Sequence, residues 1–149
     1  MAATVISIVI SVLALVVSII VAITTSIREK RIKKRDLNDK IFLEVYLVYM
    51  IKEIPEAIAK VRIIGDGELS GAKEYAEVLR SAKLKSIYYR YSDNSFYTAI
   101  TNKFSELEDY LVKNLNGKHT GDAQQKVLSD IQNKTQEIYS LLNTQRMKL

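Results

Sequence analysis

The chain opens with an unbroken apolar stretch, and no charged side chain precedes Arg28. The 26 uncharged residues from Ala2 to Ile27 would extend roughly 39 Å as a helix, whereas the hydrocarbon core of a membrane is about 30 Å thick. Most positions between Val5 and Ile23 are valine, isoleucine or leucine, and each of these favours insertion into lipid. The pattern predicts a transmembrane anchor over residues 1–27.

Two other structures could carry an apolar stretch at this position. A removable signal peptide places its basic residues before a shorter apolar run of about 7–15 residues, but here the basic residues follow the run. A helix buried in a soluble core is the second alternative, and the length of the uncharged run argues against it. A retained anchor is therefore the preferred interpretation.

The small residues inside this stretch recur at steps of four, four and three. They are Ala3, Ser7, Ser11, Ala14, Ser18, Ala22 and Thr25. An 11-residue repeat corresponds to about 3.67 residues per turn, so these residues form one stripe along a helix. Because small side chains let two helix backbones approach closely, the stripe predicts a homo-oligomer or pairing with another membrane protein. Chance alignment of common residues is the alternative.

A basic segment follows over residues 28–35. Its six cations are Arg28, Lys30, Arg31, Lys33, Lys34 and Arg35. Positive residues beside a span stay in the cytoplasm, so we expect an inner-membrane protein with its N-terminus outside and the rest cytoplasmic. The cations would contact the anionic headgroups of membrane lipids. Residues 36–149 carry as many acids as bases, so the net charge of +5 belongs to this segment, and a nucleic-acid partner is not favoured.

Beyond residue 35, apolar residues recur at helical spacing in four stretches separated by turn residues. The two clearest faces comprise Tyr97, Ile100, Phe104, Leu107 and Leu111, and then Leu128, Ile131, Thr135, Ile138 and Leu142. A weaker face comprises Ala72, Tyr75, Ala76, Leu79, Ala82 and Ile87. Ser70 and Asp93 stand where helix caps are expected.

The first of the four stretches carries an apolar face of Ile41, Val45, Val48 and Ile51. Pro55 lacks a backbone donor and predicts a kink or restart of the helix. The glycines at 65 and 67 predict its end. Short connections favour antiparallel neighbours, so the predicted fold is all-α: a single N-terminal transmembrane helix followed by a cytoplasmic antiparallel four-helix bundle over residues 36–149.

Little in the sequence indicates catalysis. The chain has no cysteine and one histidine, which excludes disulfides, thiolate chemistry and multi-histidine metal sites. His119 stands in a glycine-bracketed turn, where we expect an exposed side chain without a chemical role. The acids Glu106, Glu108 and Asp109 lack the Glu-x-x-His motif of helical di-metal sites and are expected to face solvent. We therefore expect no enzyme activity, no cofactor and no metal.

One further stretch places cations beside aromatic side chains. Its members are Arg80, Lys83, Lys85, Tyr88, Tyr89, Arg90 and Tyr91. Tyrosine and arginine are enriched at protein interfaces, and the same pair can also stack bases and hold phosphates. Tyrosines packed in the core beside solvated cations are the plainer alternative.

Together these features favour a non-enzymatic, membrane-anchored interaction or scaffold module that self-associates through its span and binds an unknown cytoplasmic protein. A membrane-perturbing effector of the toxin or phage-defence type is one alternative. A membrane-tethered nucleic-acid or nucleotide binder is another. The Lys-, Ile- and Asn-rich composition is typical of a bacterial protein.

Overall fold

The computed structural model describes the backbone of residues 2–65 and 67–148 and, from residue 14 onwards, their side chains. The elements are α1 (Ala2–Val48), a π-helix (Tyr49–Glu53), α2 (Ile54–Lys60), β1 (Arg62–Ile64), β2 (Glu68–Ser70), α3 (Ala72–Lys85), α4 (Ile87–Ser92), α5 (Asn94–Leu115) and α6 (Asp122–Lys148). Helices dominate, and the predicted all-α class is confirmed. The chain divides into two compact units, the first ending at Asn38 and the second starting at Asp39.

The first unit consists of α1 residues whose described side chains, from 14 to 37, are all exposed. The hydroxyl of Ser18 donates to the carbonyl oxygen of Ala14, one turn earlier, at 2.8 Å. The side chains of Ala3, Ser7 and Ser11 lie outside the described residues. Within the part that is described, no helix combines the length and the apolar character needed to cross a membrane.

In the second unit, the buried face formed by the end of α1 and the π-helix is aromatic. Phe42, Tyr46 and Tyr49 are buried, whereas Val48 is 50% and Ile51 is 69% exposed. The predicted face of Ile41, Val45, Val48 and Ile51 is therefore correct only in part, because Ile41 and Val45 are partly buried, with Val45 packed against the core, whereas Val48 and Ile51 are exposed. The rings of Phe42 and Tyr46 lie 5.2 Å apart, and aromatic side chains bury more apolar area than the aliphatic residues beside them.

Pro55 leaves one carbonyl of the preceding π-helix without a backbone donor. The N–H of Ile54 donates to the carbonyl of Tyr49, five residues earlier, and in this register the next donor would serve Met50. Pro55 has no N–H, so the Met50 carbonyl needs another partner. The hydroxyl of Tyr139 on α6 supplies it at 2.6 Å. The expected restart is confirmed, because Pro55 lies in the first turn of α2.

Gly65 and Gly67 lie in the turn of a β-hairpin, which the sequence interpretation missed. β1 and β2 pair antiparallel, with Ile63 opposite Leu69. Gly67 has a φ of 94°, and a Cβ there would collide with the backbone of His119. Gly71, with a φ of 77°, is the N-cap of α3, so the expectation that Ser70 caps this helix was wrong.

The packing around α5 matches the predicted faces closely. Ile100, Phe104, Leu107 and Leu111 are buried, and so are four of the five residues predicted on α6, with Leu128 partly buried. α5 packs between α3 and α6. The side chain of Asp93 accepts from the N–H of Phe96 at 3.0 Å, which confirms its role as a cap.

Two further tyrosine hydroxyls join α6 to its neighbours. The hydroxyls of Tyr75 and Thr135 are hydrogen-bonded at 2.8 Å, and Tyr110 donates to the Asp130 carboxylate at 2.8 Å. Burial raises the pKa of Tyr75. Burial and the bond to Asp130 raise the pKa of Tyr110 to about 12. Both hydroxyls therefore stay protonated and available for hydrogen bonding at neutral pH.

Candidate interaction surface

The candidate surface lies where α3 meets α4, and a buried serine holds that junction in place. The hydroxyl of Ser86 donates to the carbonyl of Ala82 at 2.7 Å and accepts from the hydroxyl of Tyr46 at 2.8 Å. Ser86 is fully buried, and burial raises the pKa of Tyr46. The junction between the two helices is thereby tied to α1.

Two of the predicted cations belong to an internal ion-pair cluster. Arg80 contacts the Glu108 carboxylate at 2.7 Å, and Lys83 contacts its other oxygen at 3.1 Å. Burial alone would raise the pKa of Glu108, but hydrogen bonds from Arg80 and Lys83 outweigh it, and the pKa is lowered. These two cations hold α3 against α5, so much of their charge is compensated within the chain.

Tyr89 is a core residue. Its side chain is 2% exposed, and its ring packs 5.7 Å from that of Tyr46 and 5.0 Å from that of Phe96. Its hydroxyl has no hydrogen-bond partner within the described residues, and burial raises its pKa. Its assignment to the partner surface was therefore wrong, and the plainer alternative of a packed tyrosine holds at this position.

The remaining side chains face solvent together with Ile87 and with Leu84, which belonged to no predicted face. We define the exposed α3–α4 surface as Leu84, Lys85, Ile87, Tyr88, Arg90 and Tyr91. Leu84 is 71% and Tyr91 is 84% exposed. Ile87 was predicted to face the core, but it is 46% exposed. Leu84, Ile87 and Tyr91 follow one another at steps of three and four, and this spacing could have indicated an exposed apolar face. Tyr89, between them in sequence, is buried.

The two ends of α3 differ in charge. Lys85, at the end beside α4, lies with its ammonium 5.3 Å from the centre of the Tyr49 ring. Towards the start of the helix, Glu74 and Glu77 line an open groove of about 430 Å³ between α3 and the π-helix, and Glu53 and Lys85 line the same groove. Lys85 therefore lies beside three glutamates, which offset its charge at this surface.

His119 has a structural role, which corrects the expectation of an exposed, incidental side chain. It is buried, and its backbone N–H donates to the carbonyl of Gly67 at 2.9 Å. Its Nε2 lies 3.1 Å from the carbonyl oxygen of Asn114, and because a carbonyl only accepts, Nε2 carries the proton in this contact. His119 thus joins the β-hairpin to the loop between α5 and α6.

The other predicted residues occupy the following places. All six cations of the basic segment are exposed on α1, as are Ala14, Ser18, Ala22 and Thr25. Glu106 pairs with Lys103 at 3.0 Å, and Lys103 also contacts Glu137 at 2.7 Å. Across the residues that the structure describes, no group of three or more histidine or acidic side chains is placed to hold a metal ion.

Comparison of the chain with protein-family models, with curated proteins and with solved structures found no match in any of the three.

Proposed function

We propose that the chain is a membrane-anchored, non-enzymatic interaction module. Residues 1–27 span the inner membrane with the N-terminus outside, and residues 28–35 contact anionic headgroups. The following helical segments pack as an antiparallel four-helix bundle in the cytoplasm. The observation that carries the proposal is a run of 26 uncharged residues followed at once by six cations in eight positions. That order is typical of a single-pass anchor with a cytoplasmic domain.

The surroundings of the apolar residues support the same proposal. Leu15, Val17, Ile20 and Ile23 are each about half exposed, and among the side chains that the structure describes, the core residues all lie in the second unit. A continuous apolar surface of this kind indicates contact with lipid or with another protein. A helix also satisfies its backbone groups internally, which a lipid environment requires.

The anchor is tested by fractionating cells that express the full chain. We expect it in the membrane pellet after an alkaline carbonate wash, and in solution only after detergent is added. Introducing two charges with Val17→Lys and Ile20→Lys costs about 2.5–3.5 kcal/mol each at the centre of a span and should move the protein out of the carbonate-resistant pellet. The matched control is Ile64→Lys with Val112→Lys, two exposed positions of the second unit. Wild-type protein in the supernatant without detergent would refute the anchor.

Self-association is the second element of the proposal, through the stripe that includes Ala14, Ser18 and Ala22. Because the Ser18 hydroxyl already donates within its own helix, close backbone packing rather than hydroxyl pairing is the expected source of affinity. Crosslinking in membranes should capture dimers or larger species of the wild type. Ser11→Leu with Ser18→Leu should reduce them, whereas Val16→Leu with Ile20→Leu, off the stripe, should not. Equal crosslinking of both pairs would contradict the stripe.

The folded unit is the interacting part of the module, and its free binding surface is the exposed α3–α4 surface. Arg80 and Lys83 are paired with Glu108, and Tyr89 is buried. The exposed α3–α4 surface therefore consists of the other exposed residues from Leu84 to Tyr91. Its mixture of apolar, tyrosine and cationic side chains fits a partner that is acidic and partly apolar.

A further inference from the structure

The short helix α4 is attached to the core of the second unit by a single buried side chain, that of Tyr89. The Tyr89 ring packs against the rings of Tyr46 and Phe96. The other apolar side chains of α4 are exposed, and they are Ile87, Tyr88 and Tyr91. Segments with few buried apolar contacts are the ones that open locally while the rest of a protein stays folded. The attachment of α4 therefore depends largely on Tyr89.

The hydroxyl of Tyr89 weakens this attachment. It is buried, and within the part of the chain that the structure describes it has no hydrogen-bond partner. The three other buried tyrosines differ, because the hydroxyls of Tyr46, Tyr49 and Tyr75 each form a hydrogen bond at 2.8 Å. A buried hydroxyl without a partner has lost its hydrogen bonds to water without replacement. This loss favours a form in which the hydroxyl meets water by about 5- to 150-fold.

The residues on either side of α4 are held by contacts that do not involve its side chains. Before the helix, Ser86 is fully buried and accepts a hydrogen bond from the hydroxyl of Tyr46 at 2.8 Å. After the helix, the Asp93 carboxylate accepts from the N–H of Phe96 at 3.0 Å and from the amide of Gln145 at 2.9 Å. Both contacts can persist when the side chain of Tyr89 leaves the core.

We infer that α4 opens locally while the rest of the second unit remains folded. In the open form, the Tyr89 hydroxyl meets water and the Tyr89 ring joins the exposed α3–α4 surface. The carboxylate of an acidic partner accepts the hydrogen bond that the closed form leaves unmade, so such a partner shifts the population towards the open form. This consequence for binding rests on the proposed function of that surface, whereas the opening itself does not.

Amide hydrogen exchange of the full chain in detergent micelles tests the opening. Residues 90–93 report on α4, whose last backbone hydrogen bond joins the N–H of Asp93 to the carbonyl of Tyr89 at 2.8 Å. Residues 104–111 of α5 are the comparison, because α5 buries Phe104, Leu107 and Leu111. Mass spectrometry with electron-transfer fragmentation separates the two segments. In the wild type we expect α4 to exchange several-fold faster than α5.

The decisive variant is Tyr89→Phe, which keeps the ring and removes the hydroxyl. The closed form then buries no unpaired polar group at this position, so exchange of residues 90–93 should slow about 5-fold or more. Exchange of residues 104–111 should not change. Tyr91→Phe is the matched control, because the Tyr91 side chain is 84% exposed, and it should alter neither segment. Near-UV circular dichroism of the remaining tyrosines verifies that each variant is folded.

Two results would overturn the inference. If α4 and α5 exchange at the same rate in the wild type, α4 does not open separately. If Tyr89→Phe leaves the exchange of α4 unchanged or makes it faster, the missing hydrogen bond of Tyr89 does not drive the opening. Either result would leave the anchor intact, because the anchor is tested by fractionation and not by exchange.

Discussion

The two units of this chain use similar apolar residues in opposite ways. From residue 14 to 37, every side chain of the first unit is exposed, including a continuous series of valine, leucine and isoleucine. The second unit buries its leucines, isoleucines and aromatic rings in a core shared by several helices. Hydrophobicity alone therefore does not place a residue in a core. What distinguishes the two units is the presence of other elements of the same chain to pack against.

The two units also differ in their tyrosine content. All nine tyrosines lie between Tyr46 and Tyr139, in the second unit, and the chain has no tryptophan. Tyrosine combines an apolar ring with a hydroxyl that needs a partner, and here several of those hydroxyls join separate helices. Because these chromophores all belong to the second unit, near-UV circular dichroism of the full chain in detergent reports on the folding of that unit alone.

The largest expected effect distinguishes the core of the second unit from the exposed side chains of the first unit. Phe104 on α5 is fully buried, so Phe104→Ala should lower the free energy of unfolding of the second unit by about 3–5 kcal/mol. Val17→Ala, in the first unit, should leave that free energy unchanged. Urea denaturation followed by tyrosine circular dichroism measures both. A loss of similar size from Val17→Ala would contradict the division into independent units.

The next effect tests the contact between the β-hairpin and the α5–α6 loop. Gly67→Ala would force a Cβ into the backbone of His119 at a φ of 94°, and we expect a loss of roughly 2–3 kcal/mol. Gly65→Ala is the matched control, because its φ is 49° and nothing lies within 4 Å. The control should cost about 1 kcal/mol. Equal losses in the same denaturation experiment would mean that the contact with His119 adds nothing.

A smaller effect tests the partner of the π-helix. Tyr139→Phe removes the donor to the Met50 carbonyl and should cost about 1–2 kcal/mol. The control, Tyr91→Phe on the surface, should cost nothing measurable. Pro55→Ala restores a backbone donor that can serve this carbonyl, so the loss from Tyr139→Phe should shrink in that background. A double-mutant cycle measures the coupling, and a coupling of zero would refute the explanation.

The smallest effect concerns the ion pairs of Glu108. Because Arg80 is half exposed, we expect Glu108→Gln to cost about 1 kcal/mol or less at neutral pH. The pKa of Glu108 is lowered on folding, so its contribution is present above the ordinary pKa of glutamate, about 4.3. It is lost as pH falls through the lowered pKa. The difference between wild type and variant should therefore vanish in acid, and a difference that grows in acid would contradict this.

Helical spacing was a good guide where one face of a helix meets one neighbour. The faces of α5 and α6 agree with prediction for this reason. It was only partly right at the end of α1 and in the π-helix, where the aromatic residues Phe42, Tyr46 and Tyr49 are buried and the predicted Val48 and Ile51 are exposed. It also failed for the candidate surface, because spacing could not show that Glu108 would occupy Arg80 and Lys83 or that Tyr89 would turn inward.

The sequence by itself determined the all-helical class, the restart at Pro55 and the charge asymmetry that concentrates positive residues at 28–35, because local periodicity and composition carry these properties. Only the tertiary structure decided which tyrosines are buried, which cations remain free and what His119 contacts. Several of these outcomes depend on residues far away along the chain, such as Glu108 for Arg80, 28 positions away, and Met50 for Tyr139, 89 positions away. No local pattern encodes such partners, since they are chosen by how whole helices pack.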